Sequence, residues 1–370
     1  MKIGIITDAI DDKAAGIGTY VRNIVGRVIQ LDKTNDYYLI HHTQFDDQFY
    51  TQFKNNKKVH EIIVPIKSKV LGREWRKIVA MPKILENYHL DLVHETAQTG
   101  PFFRKSSFKK IVTIHDLVPL VHPETHSAMT VIHHKHGLPV MLKNVDKIIA
   151  VSKNTKKDIE KLFSVNPKKI EVIYEAAETK KASTKEVAAF KRKYHLNKYI
   201  LIVGSLEPRK NVVKQLMAFE DARKMYDIQL VIITKKGWKN KEIYAAINRS
   251  KFKNDIYILN NVGYQELLSA YAGSQCLLFA SLYEGFGLPV LEAMSQGCPV
   301  ITSNISSLPE VAGNAAKLVD PNNTKEIAHA LKAVLKDNSQ MKKKGFAQVK
   351  KFSWEKAAKE TLAVYKSVMK

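Results

Sequence analysis

Short apolar runs rich in β-branched residues recur from one end of this chain to the other, with stretches of helical spacing between them. In the first half this pattern predicts strands at 2–7, 38–41, 61–64, 92–94, 111–114, 147–151 and 171–173. Helical patterns lie between several of them, including 19–30, 75–88 and 154–163. The second half repeats the theme with strands at 199–203, 229–234, 256–259, 276–279 and 299–302. Runs that are apolar throughout, rather than alternating, belong to strands buried on both faces, and helices between them are the crossovers of parallel sheets. The expected fold class is therefore α/β, with doubly wound, Rossmann-like sheets.

A chain of 370 residues with 45% apolar content has material for two or three packed domains, and two is the natural count. The polar, small-residue stretch 176–184 and the charged helical segment after it place a linker within 176–198. This gives a first domain at 1–178 and a second at 190–350. The tail 353–370 opens on a capping serine, Ser353, and carries an apolar stripe at Trp354, Ala357, Ala358, Leu362 and Tyr365, so it reads as a helix that must dock on a core.

The two cysteines, Cys276 and Cys298, lie in apolar surroundings without metal-ligand spacing and read as reduced core residues. No apolar run approaches the ~20 residues needed to cross a bilayer. The first residues read as a strand rather than a secretory leader, so a cytoplasmic location is expected. The net charge of +23 favours an anionic partner. Nucleic acid is the distant candidate, because zinc-finger spacing, aromatic RNA-binding signatures and basic heptads are all missing.

In doubly wound sheets ligands bind outside the carboxyl ends of strands, which directs attention to a few loops. Ala15-Gly16-Ile17-Gly18 follows the first strand and precedes a helix, a place where exposed amides suit anions, although a tight βα turn explains it equally well. His115 and Asp116 end the strand at 111–114, where a hydrogen-bonded structural pair is the plain reading. Gly204-Ser-Leu-Glu-Pro-Arg-Lys-Asn211 follows another strand and sets Arg209 and Lys210 at a helix start. Cations oppose the helix dipole there unless an anion is present, and a diphosphate would be such an anion. Glu284-Gly-Phe-Gly-Leu-Pro-Val-Leu-Glu292 follows the strand at 276–279. Gly285 and Gly287 let backbone amides approach a ligand, while Glu284 and Glu292 bracket the helix start and suit sugar hydroxyls.

The loop 204–211 and the segment 284–292, with Ala293-Met-Ser-Gln-Gly-Cys-Pro-Val-Ile301 after it, resemble the retaining glycosyltransferases of family 4, which have the GT-B fold. The resemblance extends through Gly16 and Gly18, His115-Asp116, Val151-Ser-Lys-Asn-Thr155 and the Trp354 tail, and so covers nearly the whole chain. It implies two Rossmann-like domains facing a cleft, with the tail helix crossing back to the first. It also implies that Arg209 and Lys210 bind the donor diphosphate with Gly204 and Ser205 close by. Glu284 then touches the donor sugar, and Phe286, Gly287 and Leu288 place amides near sugar and phosphate. Glu292 takes the ribose hydroxyls, His115 contacts the sugar near the reacting carbon, and Gly16 and Gly18 line the cleft. The base is expected near Thr234 and Val262. Tyr174-Glu-Ala-Ala-Glu178 departs from the Asn-Gly turn of many relatives.

The resemblance further implies retention of configuration, no cofactor beyond the donor, and no bound metal, since Arg209 and Lys210 stand in its place. Asp11-Asp12 and Asp46-Asp47 then read as ordinary loop carboxylates. The version of the motifs is similar to mannosyltransferases of cell-surface polysaccharide synthesis, so GDP-mannose is favoured over UDP-glucose and UDP-N-acetylglucosamine, with a glycan or lipid-linked acceptor. A nucleotide-sugar epimerase or another GT-B enzyme is the nearer alternative. Finally, 67–85 interleaves Lys67, Lys69, Arg73, Arg76, Lys77 and Lys83 with Val70, Leu71, Trp75, Ile78, Val79 and Met81. That composition suits an interfacial helix on anionic lipid, or an amphipathic helix packed on its own sheet.

Overall fold

A computed structural model describes residues 1–12, 16–43, 48–66, 72–98, 100–235 and 237–369. Asp46 and Asp47, Ala15 and the start of the basic segment, 67–71, lie outside the described residues. The chain forms two compact units, Met1–Glu175 with Ser353–Lys370, and Ala176–Phe352.

The first unit is built on seven strands: β1 (Lys2–Ile6), β2 (Asp36–His41), β3 (Val59–Ile63), β4 (Leu92–Glu95), β5 (Lys109–Ile114), β6 (Lys147–Ala150) and β7 (Ile170–Val172). They form one parallel sheet in the order β3-β2-β1-β4-β5-β6-β7. The second unit holds β8 (Tyr199–Val203), β9 (Gln229–Thr234), β10 (Ile256–Asn260), β11 (Cys276–Phe279), β12 (Val300–Ser303) and β13 (Lys317–Val319). Its sheet is also parallel, in the order β10-β9-β8-β11-β12-β13. Both orders start in the middle, run outward one way, then return and run outward the other way, which is the doubly wound plan. Each sheet carries its own core: Val93, Val112, Ile148 and Leu142 in the first unit, and Ile202, Leu230, Phe219 and Leu331 in the second.

Three local differences from the sequence reading have physical reasons. The helix expected at 19–30 runs over Gly16–Leu31, so both glycines sit in its first turn. A Cβ on Gly18 would lie 3.3 Å from the Ala9 carbonyl, and its absence lets the helix pack against the Asp8–Asp11 turn. The helix expected at 75–88 is broken into Gly72–Trp75, a π turn Arg76–Ala80, and Met81–Asn87. Pro82 has no N–H to complete the regular ladder. Finally, β13 is a short strand with a single fully buried residue, Val319, too little to register as an apolar run.

The Trp354–Val368 helix starts at Ser353, whose side chain accepts from the Lys356 amide, and buries Trp354, Ala357, Ala358, Thr361, Val364 and Tyr365 in the first unit. Tyr365 Oη lies 2.7 Å from His94 Nδ1. No helix among the described residues is long and apolar enough to cross a membrane.

Candidate active site

In the second unit the topological switch point lies between β8 and β11, which are neighbours although the chain leaves β8 toward β9 and β11 toward β12. The loops after these two strands are stitched together. Asn211, held at φ 56, donates from its side-chain amide to the carbonyls of Ala280 (3.0 Å) and Pro321 (2.8 Å). Gln215 donates to the Lys210 carbonyl at 2.6 Å and accepts from the Ala280 amide at 3.2 Å. The Leu282 amide donates to the Arg209 carbonyl at 2.9 Å.

This frame brings four charged side chains together. Arg209 Nη1 donates to Glu284 Oε2 and to the Tyr283 carbonyl, each at 2.8 Å, while its Nη2 donates to Glu207 Oε1 at 2.6 Å. Lys210 Nζ donates to Glu284 Oε1 at 2.6 Å and lies 4.9 Å from the centre of the Phe279 ring. Ser205 Oγ donates to the same Glu207 oxygen at 3.0 Å, and the other, Oε2, has no hydrogen-bond partner among the described residues. Gly204 adopts φ +143, and a Cβ there would stand 3.2 Å from Lys210 Cε, so the glycine is what gives the lysine its place. Burial works against ionisation of Glu284, but the charges of Arg209 and Lys210 outweigh it and hold the carboxyl at about 2. Two cations and two carboxylates balance, and removing any one of them leaves a buried charge short of a partner, a change that typically costs ~3–5 kcal/mol.

The segment after β11 is held from β12. Ser307 Oγ donates to the carbonyls of Glu284 (2.9 Å) and Phe286 (2.8 Å), and Ser306 Oγ accepts from the Glu284 amide at 3.2 Å. Gly287 caps the Leu288–Ser295 helix at φ +102, where a Cβ would meet Leu308 Cδ2 at 2.7 Å. Phe286, Leu288 and Glu292 are buried. Glu292 sits in the helix's second turn and accepts from Tyr271 Oη at 3.0 Å. Burial and the Glu292 charge push the Tyr271 hydroxyl well above its ordinary pKa, keeping it a donor. Of the outlying residues expected here, Thr234 ends β9 and donates to the Lys235 carbonyl, and Val262 is half-buried after β10. Glu207, Gln215, Ser306, Ser307 and Tyr271 were not singled out from sequence. Position beyond a strand's carboxyl end would have found the first and the two serines; nothing local marks Gln215 or Tyr271.

In the first unit His115 follows β5 and is buried, but its partner is not Asp116. Nδ1 lies 3.3 Å from Glu175 Oε1, and Nε2 2.8 Å from the Thr96 carbonyl, whereas Asp116 accepts from the Val118 amide. Burial opposes a charge on this ring, yet Glu175 prevails and raises its pKa. The Tyr20 ring, from the helix that begins with Gly16 and Gly18, meets His115 edge-on at 4.8 Å. Glu95, at the end of β4, is 2% exposed and accepts from the Ala97 amide at 2.8 Å. Burial pushes it up to about 7.

Asp11 ends a helical turn rather than lying in a loop, and accepts from His42, Thr43 and Tyr50. Asp8, Asp11 and His42 offer three ligand atoms within 4.8 Å of one another, but Asp8 is already held by Arg76. Arg76 is 1% exposed and also donates to the Val64 carbonyl, Arg73 pairs with Asp12 at 2.8 Å, and Met81 is buried. The basic helix therefore packs on its own domain along one side, while Trp75, Ile78 and Val79 are exposed.

Against known proteins, residues 183–367 match the family model for glycosyl transferases group 1, and 14–181 that for glycosyltransferase family 4. O-antigen chain mannosyltransferase B of Escherichia coli is 30% identical, over 99% of this chain and 100% of its own length. Among solved structures, sucrose-phosphate synthase from Thermosynechococcus elongatus aligns over 100% of this chain and 99% of its own, at TM-score 0.81 and 18% identity. Anabaena HepE in complex with UDP and glucose aligns over 99% of this chain and 100% of its own, at TM-score 0.78 and 16% identity. At such identity the structural likeness speaks for the fold alone, which is GT-B.

Proposed function

The chain belongs to the glycosyl transferases of group 1 and, in its first half, to glycosyltransferase family 4, and from that premise we propose that it moves a hexose from a nucleotide diphosphate sugar to a glycan or lipid-linked acceptor with retention of configuration. The observation that carries this reading is the Arg209–Lys210–Glu284 cluster at the switch point of the second unit. The donor pyrophosphate takes over as partner of Arg209 and Lys210, and Glu284, released from them, accepts from a sugar hydroxyl. Both cations then sit where negative charge grows as the sugar–phosphate bond breaks. The acceptor hydroxyl attacks from the departing diphosphate's face, and a leaving phosphate oxygen takes its proton. A carboxylate pair of the glycosidase kind is therefore not called for. Glu292, oriented by Tyr271, holds the ribose.

GDP-mannose is the favoured donor, supported by the likeness to the Escherichia coli mannosyltransferase; UDP-glucose and UDP-N-acetylglucosamine are the alternatives, the former supported by the likeness to HepE with UDP and glucose. Synthesis of a cell-surface polysaccharide is the matching role. Trp75, Ile78 and Val79, exposed beside Lys77 and Lys83, support docking of the 72–85 stretch on an anionic membrane face.

Calorimetric titration with GDP and UDP at low salt, followed by product analysis with each nucleotide sugar, tests the reading. Saturable nucleotide binding and sugar transferred to an acceptor are expected. Binding of neither nucleotide, or a sugar altered while still on its nucleotide, overturns it.

A further inference from the structure

Apart from the residues of the candidate site, the first unit carries a groove of about 910 Å³ along one side of the Ala128–Asn144 helix. That helix contributes Val131, Lys135, Pro139, Leu142 and Lys143 to it, a spacing that keeps them on one face. Leu162, Phe163, Val165, Pro119, Leu120 and Pro123 add apolar lining, with Ser164, Asn166 and Lys169 as the polar remainder. Two features set this groove apart from ordinary surface. Its lining is mainly apolar. Its charges are of one sign: Lys135, Lys143 and Lys169 line it, and none of the described lining residues is acidic. Lys169 donates to the Val145 carbonyl, while Lys135 and Lys143 are exposed.

From this combination we infer that the groove binds a single anionic lipid, its hydrocarbon chain lying along Val131, Pro139 and Phe163 and its phosphate drawn by the exposed Lys135 and Lys143. An apolar trough favours a chain, and an all-cationic lining favours a phosphate on that chain over a neutral headgroup. The stretch from Val131 to Lys143 offers roughly 18 Å of helix, room for a long alkyl or isoprenoid segment. The inference rests on the lipid-linked acceptor of the proposed function and names the chemistry of its carrier.

The test is titration of the full chain with dodecyl phosphate below its micelle threshold, against dodecyl maltoside and inorganic phosphate. Saturable one-to-one binding of dodecyl phosphate is expected, with the maltoside at least about tenfold weaker and inorganic phosphate without effect. Val131→Asp and the double variant Lys135→Glu/Lys143→Glu should each weaken dodecyl phosphate by about tenfold or more. Equal affinity for the neutral and anionic probes, or unchanged affinity in the double variant, overturns the inference. GDP is titrated into the same preparations. If Val131→Asp loses GDP as well, that variant is misfolded and the lysine pair decides. If wild type takes dodecyl phosphate but no nucleotide, the donor reading fails and the groove stands.

Discussion

The two units repeat one topology, yet the carboxylates at their switch points behave in opposite ways. Glu284, beyond β11, is held at about 2, while Glu95, at the end of β4, is pushed up to about 7. Both are buried to a similar degree. What differs is contact: Glu284 receives hydrogen bonds from Arg209 and Lys210, whereas the Ala97 amide is what donates to Glu95 and the charges of Lys77 and Asp8 act on it from further off. Near the switch point of each unit a buried carboxylate thus has its pKa driven down or up according to whether a cation touches it.

The largest expected effect comes from disturbing the second unit. Lys210→Ala should lower turnover ~10²–10³-fold, or ~2.7–4 kcal/mol, as loss of one preorganised donor does. Steady-state kinetics with the preferred donor measure it, and near-wild-type kcat would remove Lys210 from the chemistry. Next come the two glutamates, as a matched pair of pH profiles. Glu284, whose folded pKa is depressed, contributes stability that is full above about 4.5 and drains away as pH falls toward 2. Glu95, with its pKa raised, contributes the reverse: its share is full below about 4.5 and is lost as pH rises through 7. Each is on the order of 3 kcal/mol. Melting temperature against pH should therefore lose part of its acid limb in Glu284→Gln, and part of its decline between pH 5 and 8 in Glu95→Gln. Parallel curves for the two variants would erase the contrast between the units. Smallest is Tyr271→Phe, which deletes one hydrogen bond to Glu292 and should weaken nucleotide affinity by ~1 kcal/mol with folding preserved, read by calorimetry.

How far the sequence carried can be seen in particular residues. Buried parallel strands announce themselves by composition, so those of both sheets were legible, except β13, where Lys317 and half-exposed Leu318 leave Val319 alone. The break before Pro82 is masked in the sequence by apolar spacing that continues through 75–88. Arg209, Lys210 and Glu284 stood out because each lies in the loop beyond a strand's carboxyl end. Their supports did not: Ser307 lies 23 residues from Glu284, and Tyr271 21 from Glu292. A tyrosine within a helix looks like core until the fold supplies a carboxylate opposite it. Likewise His115 was read beside Asp116, its chain neighbour, while the fold gives it Glu175, 60 residues away.

The balance of charge within the Glu207–Arg209–Lys210–Glu284 group has a kinetic corollary. A group that cancels itself projects little field, so if the proposed anionic donor binds there, the +23 of the whole chain would draw it from elsewhere on the surface. Encounter should then slow as added salt shortens the ~8–10 Å reach of those surface charges, whereas escape of the seated nucleotide, governed by buried contacts, should scarcely notice the ionic strength.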